Sequence, residues 1–287
     1  MYKLCIFDLD GTLLNTLTAL TYATNLTLRS FGLGEITIED TKHMVGDGYK
    51  TQMERALCHF GHENMKYYDQ SLSEYMKNFS ANCMRGVKPY DGILHLLSFI
   101  RENHIKMAVF SNKPHEQAVE NIETVFGKNT FDMILGQREG IAKKPSPEGA
   151  LFICEKLQVK PEECLYLGDT NTDMRTGIAA GMDTVGVTWG FRDREELLAF
   201  HPRYIADHPS DVEKILKKVG EECTEVVIAS LTQTKQDQIN EISDLLYHLT
   251  VLMVEKGISM DDVNAELTRR AQKTHNLKAE RKPIEHL

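Results

Sequence analysis

The chain has 287 residues, 41% of them hydrophobic and 26% charged, a composition that suits a soluble globular protein of about two domains. Its net charge of −9 argues against the basic footprint of a nucleic-acid binder and against a polybasic membrane anchor. No apolar run approaches the roughly 18 residues of a membrane span and no secretory leader opens the sequence. The 6 cysteines are scattered without a C-x-x-C pair, as expected of reduced core thiols in a cytoplasmic protein.

Residues 2–8 form a first, largely apolar strand. A stretch from 16 to 85 follows with helical periodicity and no strand. Val87-Lys88-Pro89-Tyr90-Asp91-Gly92 is a turn, and strands and helices then alternate. Strands are predicted at 106–110, 133–135, 165–167, 184–188 and 204–205, and helices at 92–103, 116–126, 147–157, 172–180 and 195–200. Such alternation predicts an α/β fold, a Rossmann-like parallel sheet covered by helices, with ligands bound beyond the carboxyl ends of the strands. The helical insert leaves from that same edge and can cap the site. From 209 the pattern changes to all-α, with helical segments at 211–231, 236–256 and 260–273. Ser259 is the expected N-cap of the last, with Asp262 at N3 and Ile258 and Val263 at the staple positions. The polar tail 274–287 is expected to be loose. The domain reading is therefore a core at 1–15 and 86–208, a helical cap at 16–85 and an all-α module at 209–287.

Four polar groups stand at the carboxyl ends of four predicted strands: Asp8 and Asp10, Ser111-Asn112, Lys144, and Gly168-Asp169-Thr170-Asn171-Thr172-Asp173. Two carboxylates so close together raise each other's pKa or require a cation. Asp8 is a candidate carboxylate nucleophile, and Asp10 a candidate acid that protonates a leaving group and later deprotonates water. Asp169 with Asp8 can hold a hard cation, for which Mg2+ is suited, and Asp173 completes or orients that shell. Ser111 can donate to a phosphoryl oxygen and Lys144 can neutralise its charge. Phosphoryl transfer is chiefly positioning and charge neutralisation, which this set supplies.

With those residues in order, 1–208 resembles the haloacid dehalogenase superfamily, in its branch with a helical cap after the first strand. Asp8-Leu9-Asp10-Gly11-Thr12, Ser111, Lys144-Pro145-x-Pro147 and Gly168-Asp169-Thr170-x-x-Asp173 match its four motifs. Val45-Gly46-Asp47-Gly48, Val87–Ile93 and Ala179-Ala180-Gly181-Met182 are similar to phosphoglycolate-phosphatase-like members. The resemblance implies Mg2+, a phospho-Asp8 intermediate, and metal contacts from Asp8, the Asp10 backbone carbonyl and Asp169. It also implies hydrolysis of a small phosphorylated metabolite. Asp10 argues against a dehalogenase, which needs no general acid there. Thr12 and Asn112 are expected to bind substrate, as are Gly46 and Lys50 of the cap. For Lys50, a solvated lysine is the plainer alternative to a Schiff base of the phosphonate-hydrolysing kind. Asn15-Thr16 stands where Asp-Ser is commoner, a change expected to leave activity intact.

The C-terminal module carries a second carboxylate set. Glu222 points along the apolar stripe of its helix, and Glu221 and Glu225 border it. In the next helix Glu241, Asp244 and His248 form a line with apolar neighbours nearly all round. Inward carboxylates on two facing helices are costly without a cation, whereas a solvated Glu-rich face is the alternative. Lys217-Lys218-Val219-Gly220-Glu221-Glu222-x-x-Glu225 and Glu241-Ile242-x-Asp244 resemble the metal-binding helices of phosphoribosyl-ATP pyrophosphatase, a MazG-like fold. The resemblance implies Mg2+ held by Glu221, Glu222, Glu225, Glu241 and Asp244. That family's further helix and Ser-Tyr-Thr-type loop are missing here. The module is expected either to hydrolyse a nucleotide pyrophosphate bond or to serve only as a homodimerisation bundle.

Overall fold

The computed structural model describes residues 2–216, 234–255 and 257–271. The chain forms two compact units, Met1–Leu216 and Lys217–Leu287.

In the first unit β1 (Leu4–Phe7) and β2 (Leu14–Asn15) precede the cap helices α1 (Leu17–Ser30), α2 (Ile38–Met44), α3 (Tyr49–His59) and α4 (Tyr68–Asn82). The chain returns through β3 (Lys88–Pro89), and α5 (Ile93–Glu102), β4 (Lys106–Pro114), α6 (His115–Phe126), β5 (Met133–Gln137) and α7 (Glu148–Leu157) follow. β6 (Cys164–Gly168), α8 (Asn171–Ala179), β7 (Asp183–Val187), α9 (Arg194–Leu198) and β8 (Tyr204–Ala206) complete the alternation. Six strands form one parallel sheet in the order β5-β4-β1-β6-β7-β8.

The central strand is apolar at every position because both sheet faces are covered. Cys5 and Phe7 join one cluster with Ile93, Leu96 and Ile100 of α5, while Leu4 and Ile6 join another with Ala150 and Ile153 of α7. The cap has its own cores, one centred on Met53, Tyr75 and Phe79 and another on Leu28, Ala56 and Leu57. β2 and β3 pair antiparallel, Leu14 with Pro89 and Asn15 with Lys88, where the chain leaves for the cap and returns. That two-residue ribbon replaces part of the turn expected at 87–92.

β4 runs on to Pro114, four residues past the predicted end. The apolar pattern stops at Phe110, and Ser111, Asn112 and Lys113 look like loop residues, yet all three are buried. Their polar partners, described below, take the place of apolar packing.

A further helix, α10, starts at residue 209 and is described to 216. Val212 is fully buried in the sheet cluster, with Ile215 and Leu216 packed against it. Residues 209–216, assigned from the sequence to the helical module, thus belong to the first compact unit. In the second unit α11 (Lys235–Glu255) and α12 (Met260–Ala271) are described. The expected cap of α12 is present: Asp262 N donates to Ser259 Oγ at 3.1 Å and Ser259 N to Asp262 Oδ2 at 2.8 Å. No helix among the described residues is long and apolar enough to cross a membrane.

Phe7 is buried in the sheet cluster and meets Phe131 edge-on at 6.2 Å. Phe7→Ala is expected to destabilise the first unit by roughly 3–5 kcal/mol. Urea unfolding followed by fluorescence of Trp189, the single tryptophan, checks this; an unchanged midpoint contradicts the packing described.

Candidate active site

Strand register brings the site together. Phe7 lies beside Val109 of β4 and Leu167 of β6. Asp8 therefore stands level with Phe110 and Gly168 at the carboxyl edge, and Ser111 and Asp169 follow directly. Lys144 comes from the loop after β5. Its Nζ donates to Asp8 Oδ1 at 2.7 Å and to Asp173 Oδ1 at 2.6 Å, with all three side chains buried. Asp173 also closes the capping box of α8, accepting from Thr170 N at 3.1 Å and Thr170 Oγ1 at 2.6 Å. Asp169 accepts from Thr12 Oγ1 at 3.0 Å and Phe191 N at 2.8 Å.

Carboxylate oxygens of Asp8, Asp169 and Asp173 lie within 4.8 Å of one another. Three ionised carboxylates and one ammonium leave two negative charges without a partner. Burial pushes Asp8 up to about 7, Asp173 adds to the shift and Lys144 opposes it. Burial, then Asp8 and Asp173, also holds Asp169 well above the usual carboxylate range. Burial works against the charge on Lys144, but Asp173 and Asp8 outweigh it and keep the ammonium charged. The excess charge and the all-oxygen donor set fit a hard divalent cation.

Asp10 is not part of that cluster. Its carboxylate turns to a residue the sequence reading passed over, Lys113, whose Nζ donates to Asp10 Oδ1 at 2.8 Å. Ser111 Oγ accepts from Lys113 N at 3.2 Å. Two residues expected to bind substrate have other partners. The Thr12 hydroxyl donates to Asp169. Asn112 accepts from Lys144 N at 2.8 Å and donates to Gly46 O at 3.2 Å, tying the lysine loop to the cap. Asn15 Oδ1 accepts from Leu17 N at 3.3 Å, while the buried Thr16 hydroxyl has no partner among the described residues.

The cap closes over this edge. Thr172 Oγ1 donates to Asp47 Oδ1 at 2.9 Å, and Arg192 donates to Val45 O at 2.9 Å and to Lys42 O at 2.6 Å. Between cap and core lies a cavity of about 40 Å3, lined by Asp8, Asp10 and Ser111 below and by Gly46, Tyr49 and Gln52 above. Lys50 is exposed and does not line the cavity, the position that a solvated lysine takes. The inward face of α3 is Gln52, Met53, Ala56 and Leu57.

Of the second carboxylate set, Glu221, Glu222 and Glu225 lie outside the described residues. On α11, Glu241 is half-buried and Asp244 exposed, so Asp244 does not show the burial expected of it. Among the described residues the one acidic cluster of metal-binding geometry is Asp8, Asp169 and Asp173.

This arrangement, acidic chemistry on the sheet and enclosure by the cap, defines a capped α/β hydrolase. The chain belongs to the haloacid dehalogenase-like hydrolases, whose family profile matches residues 5–187. Residues 195–271 match phosphoribosyl-ATP pyrophosphohydrolase. The phosphoglycolate phosphatase of Pseudomonas putida is 28% identical over 244 residues, covering 84% of this chain and 88% of its own. That of Aquifex aeolicus is 29% identical over 214 residues, 75% of this chain and 96% of its own. A crystal structure from Lactobacillus delbrueckii subsp. bulgaricus, described as a candidate phosphoglycolate phosphatase, superposes with a TM-score of 0.70 at 31% identity, over 75% of this chain and 98% of that one.

Asp8 and Asp169 have folded pKa values above their unfolded ones. Without a cation, the folded protein keeps protons that the unfolded chain releases, so stability falls as pH rises from about 4 toward 7. A cation competes with those protons. Adding Mg2+ to metal-free protein is therefore expected to raise the melting temperature more at pH 8 than at pH 5. Equal shifts, or none, contradict this electrostatic account.

Proposed function

We propose that the first unit is a Mg2+-dependent phosphatase that hydrolyses a small phosphate monoester of the phosphoglycolate kind through phospho-Asp8. The bridging of Asp8 and Asp173 by Lys144, at the sheet edge that also carries Ser111 and Asp169, carries this reading. Lys144 holds one oxygen of Asp8 and keeps the carboxylate aimed across the strand ends. The second oxygen attacks phosphorus, and the bond from phosphorus to the ester oxygen breaks. Asp10 gives its proton to that leaving oxygen. Asp10 then takes a proton from water, which attacks phosphorus and returns Asp8 with release of phosphate. Ser111 donates to a phosphoryl oxygen, and Lys144 offsets the charge on the phosphorylated aspartate. Asp8 and Asp169 would hold Mg2+, which neutralises phosphoryl charge when bound. The aromatic and aliphatic cavity walls exclude water.

Asp8→Asn is expected to lower release of p-nitrophenol from p-nitrophenyl phosphate by at least about 1000-fold. Activity near that of wild type removes Asp8 as the nucleophile.

The match of residues 195–271 favours a second reading, in which the C-terminal unit hydrolyses a nucleotide pyrophosphate bond. Hydrolysis of phosphoribosyl-ATP is then expected to persist in Asp8→Asn and to vanish in Glu222→Gln. Absence of that activity in the wild-type protein excludes this reading and leaves the helices as a dimerisation bundle.

A further inference from the structure

The steps above use Lys144 and leave a second buried ammonium without a task. The Lys113 side chain is 1% exposed. One of its donors reaches Asp10 Oδ1 at 2.8 Å, and its Nζ lies 4.9 Å from the centre of the Phe79 ring. An ammonium has three donors, and Asp10 Oδ1 is the one hydrogen-bond acceptor of the Lys113 ammonium among the described residues. It faces the cavity between cap and core and is the one cation among the described residues that line it. Leu20, Val45, Tyr75, Phe79 and Phe191 make much of the remaining wall apolar. A charge placed there has little water to satisfy it, so a ligand anion entering the cavity meets a desolvated donor.

Position narrows the anion further. Asp10 must reach the ester oxygen to protonate it, and Lys113 is in contact with Asp10. An anion held by Lys113 therefore lies one or two carbons from the ester oxygen, on the side away from the phosphoryl group.

We propose that Lys113 binds a carboxylate of the substrate beside the ester oxygen and selects phosphorylated 2-hydroxy acids over neutral esters. This rests on the phosphatase reading of the same site. Binding shifts one Lys113 donor to the substrate while its contact with Asp10 persists, so recognition of the acid and placement of the proton donor become one event.

The test compares kcat/KM for phosphoglycolate with that for 2-hydroxyethyl phosphate, which has the same chain length and a hydroxymethyl group in place of the carboxylate. Wild-type protein is expected to prefer phosphoglycolate by about 10- to 100-fold, as a charge-assisted hydrogen bond supplies. Lys113→Met slows both reactions because Asp10 loses its partner, so the ratio is the readout, and it is expected to fall to within about threefold of unity. Lys113→Arg, which keeps the charge, is expected to retain part of the preference. A wild-type enzyme that releases phosphate from both esters without preference overturns the assignment and leaves the phosphatase reading standing. So does a Lys113→Met protein with native Trp189 fluorescence and an unchanged ratio, since a residue that only positions Asp10 lowers both rates equally. Release of phosphate from neither ester overturns the phosphatase reading and this assignment together.

Discussion

Lys144 donates to Asp8 and to Asp173 across the strand ends, and both the architecture of the sheet edge and its chemistry are organised around that contact. Asp8 belongs to the loop after β1, Lys144 to the loop after β5, and Asp173 to the first turn of α8. One ammonium thus joins three separate parts of the fold. Removing either carboxylate leaves a buried charge incompletely paired, the expensive case for interior ions. Asp173 is bound by a second constraint, because it also satisfies the Thr170 backbone at the start of α8. A site residue that caps a helix cannot move without disturbing that helix. Close approach tightens the arrangement further. Gly11 has φ +93°, and a Cβ there would fall 2.1 Å from Asp169 Oδ2, so only glycine lets the first loop pass the carboxylate.

The same polar residues seat the cap. Asn112 bonds to the lysine loop and to Gly46, and Thr172, one residue from Asp173, bonds to Asp47. Cap closure is therefore held by residues that adjoin Ser111 and Asp173 in the chain. Substrate enters beneath a cap whose seal depends on Asn112 and Thr172 keeping their places. Enclosure of this kind strengthens every charge interaction inside the cavity.

Much of the site was legible because its parts stand at strand ends in a fixed order. The apolar run Leu4–Phe7 marked a strand buried on both faces, and the runs ending at Phe110 and Leu167 lead into Ser111 and into Gly168-Asp169. Lys113 was not legible for the same reason. Ser-Asn-Lys-Pro after Phe110 has the composition of a surface loop, and the partner that buries the lysine, Asp10, lies 103 residues away in the chain. Thr12 and Asn112, expected from the sequence to bind substrate, are buried at the sheet edge with hydrogen bonds to Asp169 and to the lysine loop, which residue type alone does not reveal. Lys50 shows the opposite limit: being a cation in the cap says nothing about which way its helix turns. Beyond residue 208, Val212, Ile215 and Leu216 look like the start of a helical stripe, and only the sheet they pack against shows that they finish the first unit.

The central claim is that Asp8 carries the phosphoryl group. Reduction with borohydride during turnover converts an aspartyl phosphate to homoserine, and peptide mass spectrometry locates it. The account predicts homoserine at position 8, formed only with substrate and Mg2+ present. Homoserine at any other carboxylate, Asp10 or Asp169 included, contradicts it.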